Sequence, residues 1–600
     1  MKITPTTLSL SQLFSSANEQ FVIPAYQRRY SWQKKQLTEL FDDINFLKSD
    51  DTHLLGSVVC LTYSHTAGIN PLELVDGQQR ITSLSIFLKV LQNKYKELEH
   101  DEIANEIGGY LNSKGIDRKQ QNKILLGDLD NSDYTKVLNQ ANIDEIKNLN
   151  LLNAYTLLKE LVDELTIEAL NELYFKFINN VLVIRLDVGD AKDAYRLFET
   201  INNRGLKLNS TDIIKNFLLG HASIIDKNTL DTVRDNWKCL IISLDNVDAD
   251  KYFRQYMSGI RTHKITDTYV IDEFKKYYFN YVREAEHLAE YDLYNTLDIE
   301  NPEEIESELE NGEESEEPKE EKHTAKHRKV SIQDFSTSLK LSSQTYSKIL
   351  NRKFENEKIN RHLYNLQRIK SFPSYIYLLN VFQRDELDIK SLIAILKSIE
   401  TFMLRRHICE YRTGELDDIF AKLIPIAGSN ISEKVKEQLS KDLPSDSEFQ
   451  EKFEIADFKR ERNRAKYILE QLEYSVIKDK GEYIIQSGTD VHLEHIIPQT
   501  INTKKSKKEF GDWETYLGEN GLALHSEYVN RIGNYTLIAG ELNIVASNNP
   551  FKAKLIEYGK SNITLTKLLH EKYNNKQFGF DSVEDRSKHF AEVAVGVWNF

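Results

Sequence analysis

Cysteine is close to absent. The 600 residues hold three, Cys60, Cys239 and Cys409, odd in number and scattered. That excludes a disulfide scaffold and fits a reducing compartment, so a cytoplasmic protein is expected. No CxxC knuckle occurs, which leaves no basis for a structural zinc. There is no apolar run of bilayer-spanning length, and the opening MKITPTTLSLSQLF has no hydrophobic h-region. Neither a membrane span nor a signal peptide is therefore expected. GxxxxGK[ST] occurs nowhere in the chain, which excludes a Walker phosphate loop. Nor does any internal repeat of fixed period stand out.

What is present is the composition of a soluble chain, 40% hydrophobic and 28% charged, with length enough for several cores. The net charge of −15 looks hostile to nucleic acid, but it is unevenly placed. Residues 296–322 alone carry 13 acidic and 2 basic side chains, and without their −11 the remainder holds −4. That tract is too polar to fold and reads as a disordered loop, with a nucleic-acid mimic as a second use. Phosphate contacts are then to be sought at local basic clusters: Arg28-Arg29, Arg405-Arg406, the run from Lys459 to Lys466, and Lys504, Lys505, Lys507 and Lys508. Each is also readable as a solvated face. Arg460 and Arg464 share a helix face, as do Arg405 and Cys409, and a phosphate-facing arginine stripe is conceivable there.

The chemistry concentrates near the C-terminal end, in VHLEHIIPQT (491–500) and RIGNYTLIAGELNIVASNNPFKAK (531–554). Cutting a phosphodiester needs a base to deprotonate water and a hard cation to stabilise charge on the phosphate. His495 has the imidazole pKa suited to the first task. Glu494 and Asn543 offer oxygen donors, which suit Mg²⁺ or Mn²⁺. His492, three residues before His495, either assists or packs.

A second constellation lies near the start. FVIPAYQRRYSW (21–32) interleaves Tyr26, Tyr30 and Trp32 with Gln27, Arg28 and Arg29, a mix that suits base stacking and phosphate contact, so DNA binding is one reading. The alternative is that the aromatics are core and the arginines pair with acids. HLLGSVVCLTYS and LELV then read as a β-hairpin, ending at Asp76-Gly77-Gln78-Gln79-Arg80 before a helical stripe at Ile81, Leu84, Phe87, Leu88 and Leu91. DGQQR thus sits at a strand-to-helix corner. Backbone N–H groups there bind anions, Gly77 permits close approach, Arg80 adds a fork for phosphate, and Gln78 and Gln79 can bridge to a nucleotide. Asp76 can hold Mg²⁺ or orient water. In LFETINNRGLKLNSTDIIKNFLL (197–219), Asn202, Asn203 and Arg204 lie at a helix corner from which nucleotide or DNA is within reach; a structural helical hairpin is equally compatible.

EHIIP (494–498), GNYTL (533–537) and LN with SNNPFKAK (542–554) resemble the HNH, or ββα-metal, nuclease family. The resemblance implies that His495 is the general base, that Glu494 and Asn543 hold the metal, and that Asn534 completes the catalytic set by bracing the loop. Asn548 and Asn549 remain alternatives for the last ligand. IPAYQRRYSW, LLGSVV, LVDGQQRITSL and LFETINNRGLKLNSTDIIKNFLL match in order the N-terminal domain of GmrSD-type type IV restriction enzymes, with IETFMLRRHIC (399–409) a further match. That domain is similar to the ParB and sulfiredoxin fold. The resemblance implies nucleoside triphosphate hydrolysis at DGQQR, with Asp76 and Arg80 catalytic, controlling the nuclease. A sulfiredoxin-type reductase is set aside, because no cysteine lies near residues 71–80.

The expected architecture is α+β and multidomain. A ParB/sulfiredoxin-like α/β domain (1–220) would bind nucleotide and sense DNA, a helical connector (221–480) would follow, and an HNH domain (481–600) would close the chain. The expected function is a modification-dependent endonuclease in anti-phage defence. It would use Mg²⁺ or Mn²⁺ and a nucleoside triphosphate (GTP, ATP, CTP or UTP), and act on modified phage DNA. The alternatives are a DNA-binding regulator with an inactive nuclease module and a toxin-like nuclease acting on RNA. A homo-oligomer is left open.

Overall fold

The computed structural model describes residues 3–48, 51–63, 66, 68–116, 118–202, 209–245, 247–285, 329–477, 490–504, 512–546 and 549–600. The chain is mixed α/β and mostly helical. It forms two compact units, one from 1–254 and 266–344, the other from 255–265 and 345–600. The helices expected as one connector are therefore shared between them. The acidic tract lies outside the described residues.

The first unit is built on a six-stranded sheet. Its strands are β1 (Ile3–Ser9), β2 (Glu19–Val22), β3 (His53–Thr62), β4 (Asn70–Asp76), β5 (Ile124–Leu125) and β6 (Val181–Val188), in the order β1-β6-β3-β4-β2-β5. β3 and β4 pair antiparallel, as the hairpin reading requires, and β6 returns 119 residues after β3 to lie parallel to it, with His53 opposite Val181. The pairing of β3 with β4 shifts register between Val59 and Cys60, beside Asp76. Such a bulge re-aims the strand end that carries Asp76.

Two features were not anticipated at the start of the chain. Residues 3–15 divide into β1, antiparallel to β6, and a short helix Leu10–Ser15. Ser9 makes the division, because its hydroxyl accepts from the Gln12 N–H and caps the helix. Helix α1 (Gln78–Glu97) buries most of its circumference, including Ile81, Leu84 and Phe87 against Leu74 and Phe177. Helices α2 (Ser210–Ile225) and α3 (Lys227–Ser243) follow in the same unit.

Among the described residues the second unit is helical apart from one hairpin. Among its helices are α4 (Glu357–Arg368), α5 (Ile389–Ile408), α6 (Arg462–Val476), α7 (Gly540–Ala546), α8 (Phe551–Gly559) and α9 (Phe580–Val597). The hairpin joins β7 (Val491–His495) to β8 (Tyr535–Ala539), antiparallel, with His495 opposite Tyr535 and Glu494 opposite Thr536. A core of Ile496, Ile497, Ile538, Phe551, Tyr558 and Val583 backs it. Arg405 and Arg406 in α5 are buried, at 2% and 3% exposure. Arg405 pairs with Asp446 and lies over the Phe449 ring, while Arg406 bonds Asp442 O and Glu415. The phosphate-facing stripe suggested there is thus corrected: both guanidiniums are consumed internally. No described helix is long and apolar enough to cross a membrane.

Candidate active sites

In the first unit, Asp76 ends β4 and Gly77 turns the chain into α1 with φ 93°. A Cβ at Gly77 would stand 2.9 Å from the Val58 side chain, so both the left-handed backbone and the space demand glycine. Arg80 reaches back one turn to Asp76, Nη2 to Oδ2 at 3.0 Å. Gln79 turns the other way: its Oε1 accepts from Ser31 N at 2.8 Å and its Nε2 donates to Arg29 O at 3.1 Å. The Gln78 side-chain oxygen is buried and lacks a hydrogen-bond partner.

The 26–32 loop is locked against this corner. Tyr30 is 2% exposed, its hydroxyl 2.6 Å from Ser83 Oγ, and Tyr26 is buried against Glu73 and Tyr195. Gln27 donates to the Leu74 and Val75 carbonyls, and Trp32 packs against the core. Arg29 is saturated by Asp130 and Asp245, both at 2.7 Å, and by Asp133. In this conformation Tyr26, Gln27, Arg29 and Tyr30 do not present a DNA-stacking face; they brace the corner. Arg28 is the more exposed arginine and pairs with Asp212 at 3.2 Å.

Lys215, passed over in the sequence, is the fully buried cation of this site. It bonds Gln27 and lies 3.2 Å from Asp212. Burial lowers its pKa, against the opposing pull of Asp212 and Asp76. Its signal was the Asp212-x-x-Lys215 spacing, which places both on one face of α2. Asn203 and Arg204, and the Asn202 side chain, lie outside what is described.

In the second unit the strand end of β7 carries Glu494 and His495. Adjacent strand residues point to opposite faces, and His495, as the last residue of β7, lies against the Tyr535 ring at 4.6 Å. His495 is 7% exposed and its Nε2 has no hydrogen-bond partner. Burial, then the Arg462 charge, pushes its pKa down to about 4, so the ring is neutral at neutral pH. Glu494 accepts from Lys554 Nζ at 2.6 Å, and the same ammonium donates to His495 O at 2.6 Å. Burial raises the Glu494 carboxyl and lowers the Lys554 ammonium, each opposed by its partner. Lys554, 0% exposed, was read only as part of a motif.

Asn534 is wholly buried. Its side chain accepts from Ile497 N at 2.8 Å and donates to Ile497 O at 3.0 Å and Val529 O at 2.8 Å, while its carbonyl accepts from Ile496 N. It braces the turn after His495 and is placed to position that turn rather than to touch substrate. Preceding it, Gly533 meets α9 so closely that a Cβ would stand 2.0 Å from Val583 O. Asn543, in α7, lies 3.1 Å from His492 Nδ1 through its Nδ2, and its Oδ1 is buried without a partner. The partner of Asn543 is therefore His492, the residue left open between assisting and packing. Asn548, Lys505, Lys507 and Lys508 lie outside the described residues.

Among the described residues no group of three His, Cys, Asp or Glu gathers as a metal cluster. The donor chemistry that is present, one carboxylate and one orphaned amide oxygen, fits a hard cation that keeps much of its water.

The first unit thus carries a strand-to-helix corner at Asp76–Arg80, and the second carries His495 and Glu494 on β7 with Asn543 on α7. Residues 10–219 match the model of the GmrSD restriction endonuclease N-terminal domain, and residues 443–593 match that of the GmrSD C-terminal domain. The chain belongs to the GmrSD family of restriction endonucleases, whose substrate is DNA and whose role is defence against phage. No curated protein matches it.

Proposed function

We propose that this enzyme is a divalent-metal-dependent HNH endonuclease, acting on modified phage DNA and controlled by a nucleoside triphosphate bound at residues 76–80. The observation that carries the nuclease part is the pair of orphaned polar atoms on the hairpin assembly, His495 Nε2 and Asn543 Oδ1. Buried polar atoms ordinarily find partners, so unmet ones at a strand end mark where substrate or a cation completes the site. Glu494 and Asn543 would hold Mg²⁺ or Mn²⁺, which supplies charge stabilisation at the phosphate and leaving oxygen. His492 orients the Asn543 amide, and Lys554 fixes Glu494. The neutral His495 ring takes a proton from water as the water oxygen bonds to phosphorus and the phosphorus–sugar oxygen bond breaks. An incoming phosphate raises the His495 pKa toward the range where a base is effective.

At the corner in the first unit, support comes from the α1 N-terminus, the Asp76–Arg80 pair and the unmet Gln78 oxygen. Backbone N–H groups receive phosphate there, and Arg80 is close enough to add charge. Gating the cut by nucleotide state makes sense physically, since a hairpin site of this size reads few bases.

The test is a crossed pair of substitutions on modified and unmodified phage DNA with Mg²⁺ and each triphosphate. His495→Ala is expected to lose cleavage by at least about 10³-fold while keeping nucleotide turnover. Asp76→Ala is expected to lose turnover. If His495→Ala also stops turnover, or still cuts, the assignment is wrong.

A further inference from the structure

Among the described residues around His495, the cation of Arg462 has no ion pair. Arg462 opens α6, and two anchors fix where that end lies. Lys466 Nζ donates to Val491 O at 2.6 Å, at the start of β7. Ahead of the helix, Phe458 N donates to Asn530 O at 3.0 Å, and Asp457 bridges to Arg531, beside the loop that leads into β8. Asn530 in turn accepts from the Tyr535 hydroxyl, whose ring covers His495.

Its neighbours are engaged elsewhere. Glu461 pairs with Lys370 at 2.8 Å and Arg464 at 3.6 Å, and Glu494 is taken by Lys554. Arg462 is exposed, with no ion pair or hydrogen bond among the described residues. Yet its charge is felt by His495, Glu494 and Tyr535 alike. A structural arginine would ordinarily be met by a carboxylate. This one instead opens a helix anchored to the start of β7 and to the loop that leads into β8.

We propose that Arg462 is a substrate-contacting residue of the nuclease site, its guanidinium donating to a non-bridging oxygen of the scissile phosphodiester. The inference rests on the nuclease reading of His495. Charge grows on the phosphoryl oxygens as water adds, and a planar guanidinium fork matches two of them. His495 takes the water proton, the phosphorus–oxygen bond to the leaving sugar breaks, and solvent protonates that oxygen. Arg462 itself exchanges no proton.

The test uses the full-length protein with Mn²⁺ and two probes, modified phage DNA with each nucleoside triphosphate and bis(p-nitrophenyl) phosphate. Wild type is compared with Arg462→Ala, Arg462→Lys and His495→Ala, with and without millimolar guanidinium. Arg462→Ala is expected to lower kcat about 100-fold, as removal of one preorganised donor does. Arg462→Lys is expected to fall between, and guanidinium to restore part of the Arg462→Ala loss but none of the His495→Ala loss. Wild-type turnover in Arg462→Ala overturns the proposal, and so does a loss that guanidinium does not relieve. Wild-type turnover in His495→Ala, or none by wild type on either probe, instead removes the nuclease reading beneath it.

Discussion

Asn534 and His362 show how much one side chain carries. Truncating Asn534 strands the Ile497 N–H and leaves two carbonyls, those of Ile497 and Val529, without their donor in a dry site. Asn534→Ala is therefore expected to destabilise the second unit by about 3 kcal/mol in urea unfolding, and a change below about 0.5 kcal/mol would refute the brace. His362, in α4, meets Glu400 in α5 at 2.6 Å. Burial works against its charged ring, but the Glu400 carboxylate outweighs it and the pKa is raised. A raised histidine pKa adds stability that is full below the unfolded value of about 6.5 and fades as pH climbs through the folded value. The melting-temperature gap between wild type and His362→Gln should thus be widest below about pH 6.5 and narrow as pH climbs through the raised folded value; a gap that is constant or grows with pH refutes the pairing. The family resemblance picked out Asn534, but nothing in the sequence marked His362, because its partner lies 38 residues away on another helix.

At the scale of elements, the corner from β4 into α1 was readable because its signals are local: a β-run, Asp-Gly, then a helical stripe. Gly77→Ala would force a Cβ onto a backbone at φ 93° and against Val58. The expected cost is about 1–3 kcal/mol, with weaker nucleotide binding by calorimetry, and an unchanged melting temperature would contradict the strain. The 26–32 loop left two readings open for the converse reason. Its alternation of rings and guanidiniums is the same whether it faces DNA or Asp130, Asp245 and Ser83, and only their arrival from distant elements decides. The reading that rings pack and arginines pair with acids is the one realised.

For the whole molecule, two compact units with separate cores imply that unfolding is not a single event. Most of the net charge sits in residues 296–322, whose composition supplies little apolar surface to bury. Deleting 300–325 should leave every calorimetric transition within about 2 °C of wild type. Loss of a transition would show that the tract belongs to a core. The expected division into three segments placed a helical connector between sensor and nuclease. The helices from residue 345 onward instead share a unit with the hairpin, and α6 packs directly on its strands.

The sequence alone determined the chemistry on offer: which residue types, at which short spacings, recur as EHIIP, GNYTL and DGQQR, and hence the family. Those are local patterns, fixed by strand and helix periods that any chain obeys. Tertiary structure alone decided which charges are free. Arg29, Arg405 and Arg406 find acids or carbonyls brought from remote segments, Lys554 is drawn into the site, and Arg462 is left exposed with no ion pair among the described residues. Pairing is a matter of distance in space, and distance in space is settled only when the elements pack.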